Sequence, residues 1–149
     1  SSVGYGADGL LVVSSYSEGA HAFRVEDGKP RKVWALDERP ANMATPLVAD
    51  GLVFLAADYG EFSCLDAAEG KQLWMKEYND GFYASPVYAA GRVYAADQGG
   101  TVHIVHAARE YRLVATPSMG EGVDATPAVV EGRLYIRGRK TLFAIGTMP

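Results

Sequence analysis

Three stretches of this sequence superpose: MATPLVADGLVFLAAD from Met43, YASPVYAAGRVYAADQ from Tyr83 and DATPAVVEGRLYIRG from Asp124. Their prolines, Pro46, Pro86 and Pro127, step by 40 and then 41 residues, and so do the turn glycines Gly51, Gly91 and Gly132. A fourth copy stands upstream in GYGADGLLVVSSYSEG, where Asp8-Gly9 precedes Asp50-Gly51 by 42 residues. Self-similarity at this period restricts the chain to propeller blades or helical repeats, whose units bury their apolar faces by stacking on one another.

Residue type selects between the two. After each proline comes a short apolar run, then a turn such as ADG, AAG or VEG. Next come LVFLAA, RVYAAD or RLYIRG, rich in β-branched and aromatic residues, and a second turn, DYG or DQGG. EFSCLD, TVHIVH and KTLFAIG form a third run, and KQLWMKE a fourth. Seven prolines and 17 glycines punctuate the chain, and no stretch keeps a helical apolar stripe for three turns. Four short antiparallel strands per unit make a β-propeller blade, here lettered A to D from the centre outward. The predicted class is all-β, with about four blades over 1–41, 42–81, 82–122 and 123–149. The last blade is incomplete, stopping at FAIGTMP without a strand D.

Composition narrows the partners. A 48% hydrophobic content fits a globular fold rather than disorder. A net charge of −4 argues against nucleic acid and against an anionic membrane surface. The longest apolar runs, such as Leu10–Val13, are far too short to span a bilayer. Cys64 is the single cysteine, so no internal disulfide or multi-cysteine metal site is available. It reads as a small buried hydrophobe.

Asp66-x-x-x-Gly70-x-x-x-Trp74 follows an apolar strand inside this repeat. With the [ST]-P-x-V…G-x-[VL]-[YF] pattern around Ser85–Tyr94, it resembles the tryptophan-docking motif of the pyrroloquinoline-quinone-type (PQQ-like) propellers. The resemblance covers essentially the whole chain. It implies that Gly70 turns the C–D hairpin and that Trp74 docks one blade against the next, with Trp34 in that role in the first unit. The family includes quinoprotein dehydrogenases and non-catalytic relatives such as periplasmic lipoproteins that help assemble outer-membrane proteins. The motif decays elsewhere. Gly28 and Trp34 are separated by five residues instead of three, with Arg24 in place of the acid. In the third unit, a 40-residue offset sets His106, Glu110 and Val114 against Asp66, Gly70 and Trp74.

An incomplete fourth unit leads us to expect the C-terminal part of a longer propeller. Next comes a homo-oligomer completing the ring, and last a closed four-bladed ring. The partners expected are therefore a protein or the remaining blades.

In this topology the D–A loops and B–C turns share one face, and the docking motif lies on the other. The candidate ligand or partner residues on the first face are Asn42, Tyr83 and Asp124 from the D–A loops, flanked by Met43, Phe82 and Val123. Tyr16, Asp58, Asp97 and Arg137 come from the B–C turns. Packing or turn chemistry accounts for most of these: Asp58 and Asp97 sit in turns where Asp bonds its own backbone, and Phe82 and Tyr83 are placed to wedge between blades.

No nucleophile elbow, phosphate loop or calcium loop occurs. His103 and His106 have an odd offset, so they point to opposite faces of one strand. Quinone-dependent members of the family use adjacent cysteines and a calcium site, and Cys64 stands alone. The expected function is a non-catalytic scaffold for protein or ligand binding, with no cofactor, no metal and no catalytic residue, outside the cytoplasm by resemblance. The alternatives are the distal part of a quinone-dependent oxidoreductase and a sensory propeller joined to an enzyme domain.

Overall fold

In a computed structural model, which describes residues 2–37 and 41–146, the chain forms four antiparallel sheets that follow one another along the sequence. The first contains β1 (Gly4–Tyr5), β2 (Leu10–Ser15), β3 (Gly19–Glu26) and β4 (Lys29–Leu36). The second contains β5 (Leu47–Ala49), β6 (Leu52–Ala56), β7 (Glu61–Asp66) and β8 (Gln72–Glu77). The third contains β9 (Val87–Ala89), β10 (Arg92–Ala96), β11 (Val102–His106) and β12 (Leu113–Ala115). The fourth has three strands, β13 (Ala128–Val130), β14 (Arg133–Arg137) and β15 (Leu142–Ile145). The end of FAIGTMP lies outside the described residues. Each sheet runs in sequence order, the up-and-down meander of a propeller blade. Among the described residues no helix is long and apolar enough to cross a membrane.

The repeated turn sequences set the hairpins. At Asp50-Gly51, Ala90-Gly91 and Glu131-Gly132 both central residues have positive φ, 51° and 73°, 49° and 73°, and 49° and 76°. This is the type I′ pattern, whose twist matches the flanking strands.

The first strands of neighbouring blades lie against one another, which makes them the innermost. The Ser/Thr-Pro motif links them: the Thr45 N–H donates to Ser85 Oγ (2.8 Å), and the Ser85 N–H to Thr126 Oγ1 (3.0 Å). The hydroxyls before Pro86 and Pro127 thus each satisfy a backbone donor of the preceding blade.

The core is three layers, one per blade junction. Leu10, Val12 and Trp34 meet Val53, Leu55 and Leu65 at the first junction. Phe54, Phe62 and Trp74 meet Val93 and Val105 at the second. Ala96 and Val102 meet Ile136 at the third. Alternation along β6 sends Val53 and Leu55 to one blade, and Leu52, Phe54 and Ala56 to the other. All five residues of β6 are consequently buried.

Pairing refines the alignment of the fourth strands. Trp34 pairs with Ala22 and Trp74 with Cys64, each beside a register shift, so the two tryptophans are structural equivalents. The first hairpin is longer, and Gly28 ends it in an Asp27-Gly28 turn with φ of 51° and 73°. It is therefore not the counterpart of Gly70. In the third blade Ala115 pairs with Ile104 at the same register shift. Ala115, rather than Val114, occupies the tryptophan position, because the C–D connection of that blade is one residue longer.

Candidate functional site

Two faces carry the distinctive side chains. On the C–D turn face, Trp34 reaches from the first blade to the second. Its indole N–H donates to the carbonyl of Ala67 (2.8 Å). Its ring lies over Gly70, where an added Cβ would sit 2.6 Å from Cδ2. Gly70 has φ +70, so it turns the chain as expected and also forms the surface that receives the ring. Asp66 shapes this platform: its Oδ1 accepts from the N–H groups of Ala68 (2.9 Å) and Glu69 (3.0 Å). Arg109 of the third blade pairs with Oδ2 (2.6 Å), and with the turn amides it holds the Asp66 carboxyl below the usual carboxylate range.

Trp74 repeats the reach from the second blade to the third. Its N–H donates to the Ala108 carbonyl (3.0 Å). Tyr111 and Phe62 meet the indole edge-on, at ring separations of 5.3 and 5.5 Å. An aromatic edge thus stands in for the missing glycine platform. Cys64 is fully buried beside it, and burial pushes its thiol up to about 12. This is the environment of an inert cysteine.

The opposite face is built from the D–A loops and B–C turns, which are joined by backbone hydrogen bonds. The Phe82 N–H donates to the Ala57 carbonyl (2.9 Å), the Gln98 N–H to Gly81 (2.9 Å) and the Arg139 N–H to Gly122 (3.0 Å). In the first blade the Ser14 hydroxyl donates to the Ala41 carbonyl (2.6 Å). Backbone fixed this way presents its outward side chains at low entropic cost on binding.

Tyr16, Tyr59, Met43 and Tyr83 point outward, with exposures of 81, 51, 49 and 42%. Asn42 and Asp58 are half-buried beside them. Asp124 and Arg137 come together in a shallow depression of about 200 Å³ with Arg139. There Arg139 grips Asp124 with two nitrogens (3.0 and 3.3 Å), holding its carboxyl low, and Gln98 approaches at 3.4 Å.

Three of the residues expected on this face turn inward: Val123 is fully buried against Val102 and Ile136 in the third core layer, and Phe82 and Asp97 join it in the interior. Phe82 is fully buried, a wedge between blades, whereas Tyr83 is exposed. Asp97 is 3% exposed, and its carboxylate accepts from the Thr101 N–H (2.8 Å) and from His103 Nε2 (2.8 Å). Tyr78 lies over the His103 ring at 3.9 Å, and its hydroxyl meets that of Tyr111 (3.3 Å). Burial, then this hydrogen bond, raises the Tyr78 hydroxyl above its ordinary value. This seam supports the face from beneath. Tyr59 and Arg139 are additions to the residues expected from the sequence; each sits in a B–C turn beside one of them, Asp58 and Arg137, on the face that blade topology assigns to those turns. Among the described residues no three His, Cys, Asp or Glu side chains converge.

No curated protein matches the chain. Among solved structures, BamB from Moraxella catarrhalis superposes with a TM-score of 0.82 over 97% of this chain, at 20% identity. The chain spans 45% of that protein's length. The computationally designed Ika4 protein superposes at 0.77 over 97% of this chain and 88% of its own, at 11% identity. A europium-containing methanol dehydrogenase superposes at 0.62 over 78% of this chain and 24% of its own, at 16% identity. At these identities the likeness is one of fold. The family model described as outer membrane protein assembly factor BamB matches residues 31–110, which is more than half of the 149 residues. The matched span takes in Trp34, Asp66, Gly70 and Trp74, and the chain belongs to this BamB family of PQQ-like β-propeller repeats.

Proposed function

We propose that the chain is a non-catalytic scaffold of the periplasm. It binds a protein partner in outer-membrane protein assembly through the D–A/B–C face. The observation that carries this reading is the outward set Tyr16, Met43, Tyr59 and Tyr83 on backbone-locked loops. Tyrosine and methionine are enriched at protein interfaces, and exposed aromatic anchors on a rigid frame bind at small entropic cost. Asn42, Asp58, Asp124 and Arg137 form a polar rim to the same surface, where they select a partner more than they hold it. Membership of the BamB family supports the assembly role and the compartment.

The reading is tested by placing a photo-crosslinking residue at Tyr16, Tyr59 or Tyr83, and separately at Glu69 or Lys71 on the opposite face, in a Gram-negative host. Crosslinks to a component of the outer-membrane assembly machinery from the first set alone are expected. Crosslinks to such a component from Glu69 and Lys71 alone, or from neither set, would refute the proposal.

A further inference from the structure

The exposed tyrosines of the loop face share one kind of neighbour. Glu18 stands two residues beyond Tyr16, Asp58 immediately precedes Tyr59, and Asp80 lies three residues before Tyr83. Glu18 and Asp80 are exposed, and Asp58 is half-buried. None of these carboxylates has an ion pair among the described residues. They do not converge as metal ligands among the described residues, so each acts on its own turn. The second and third pairs are held side by side. Gly81 has no room for a Cβ against the Asp58 carbonyl, and the Phe82 N–H bonds the Ala57 carbonyl.

The sign of the face reverses along the chain. The described loop residues up to Tyr83, at 14–19, 37, 41–43, 57–60 and 78–83, include no lysine or arginine. The last B–C turn brings Arg137, Arg139 and Lys140, of which Arg139 is engaged by Asp124.

We infer that the loop face takes a protein segment bearing arginines, one at each tyrosine–carboxylate pair. This rests on the assignment of partner binding to the loop face, and it names the chemistry of what binds there. A guanidinium stacks on an aromatic ring and forks a carboxylate at the same time, whereas an ammonium offers a compact charge without the planar fork. Separated pairs on separate turns suit successive side chains of one segment rather than a single ion. The positive turn of the fourth blade repels such a segment, which keeps it over the tyrosine end of the face.

The test is amide NMR of the chain titrated with a Gly-Arg-Ser repeat peptide and with its lysine and citrulline counterparts. Citrulline keeps the shape of arginine and loses its charge. Saturable shifts at the amides of Tyr16, Tyr59 and Tyr83 are expected, with residues 138–141 unmoved. Affinity should fall by about threefold for the lysine peptide and by at least about tenfold for the citrulline peptide. Glu18→Gln/Asp58→Asn/Asp80→Asn should weaken the arginine peptide by at least about tenfold at an unchanged melting temperature. Glu18→Gln/Asp80→Asn serves if the triple variant does not fold. Glu26→Gln/Glu69→Gln/Glu110→Gln removes the same charge from exposed positions on the opposite face and should leave affinity unchanged. The inference is overturned by absence of saturable shifts, by shifts confined to other residues, by equal affinity for the arginine peptide and either counterpart, or by equal weakening from the variants of the two faces. Any of these results alongside crosslinks from Tyr16, Tyr59 or Tyr83 would leave the loop-face assignment standing without its arginine partner. Absence of those crosslinks would remove both.

Discussion

The ring of Trp34 rests on Gly70, a residue 36 positions away that belongs to the next blade. A side chain at Gly70 has no room, since a Cβ would lie 2.6 to 2.8 Å from three ring carbons. The Asp-Gly-Trp motif therefore works between blades in both directions. Its glycine receives the preceding tryptophan, and its own tryptophan goes on to the following blade.

Gly51 supplies a control for that contact. It has nearly the same φ, +73 against +70, but nothing within 4 Å of an added Cβ. Gly51→Ala should cost roughly 1–2 kcal/mol for the left-handed backbone alone. Gly70→Ala should cost measurably more, and the excess should shrink in a Trp34→Ala background. Denaturant unfolding of the four variants checks this.

Trp74→Ala should destabilise by about 3–5 kcal/mol, the range for buried aromatic truncation. It empties the Phe54, Phe62 and Tyr111 cluster and removes the indole N–H from the Ala108 carbonyl, which keeps only the long contact from the Cys64 thiol (3.9 Å). The surviving folded fraction should keep its loop-face binding. A native melting temperature in this variant would contradict the docking role.

Acid should weaken the outer link between the second and third blades. The Asp66 carboxyl is held low by Arg109 and the turn amides, so its contribution is present above the ordinary aspartate range and lost as pH falls through its folded value. Unfolding free energy of the parent should therefore drop more steeply below about pH 4 than that of Asp66→Asn. Equal acid limbs in the two proteins would remove Asp66 from the account.

Cys64 should resist thiol reagents in the native state. It is fully buried, with its thiol raised to about 12 by burial. Labelling at mildly alkaline pH should follow local or global opening and become fast on adding denaturant. Rapid native labelling would show that the second junction opens readily.

Much of the fold was legible because its signals are local. Pro46, Pro86 and Pro127 with their turn glycines fix hairpin spacing, and the run before each turn fixes strand identity. The partner of Gly70 was not legible, since Trp34 reaches it across a blade junction that no local pattern encodes. Ala115 was missed because one extra residue in the turn after Val105 shifts the register, which offset counting cannot see. Alternation placed His103 and His106 on opposite faces but did not say which faced the core, so the burial of Asp97 with His103 emerged only from packing. The rim of the candidate site was legible as turn positions, whereas the Asp124–Arg139 pairing needed two neighbouring loops brought together.

The most direct test of the scaffold reading is the affinity of the folded chain for the assembly component that crosslinks to its loop face. The triple variant Tyr16→Ala/Tyr59→Ala/Tyr83→Ala removes three exposed rings and should leave the melting temperature within a few degrees of the parent. Its affinity should fall by at least about tenfold, as expected for loss of aromatic anchors. Unchanged affinity at unchanged melting temperature would contradict the assignment of binding to this face.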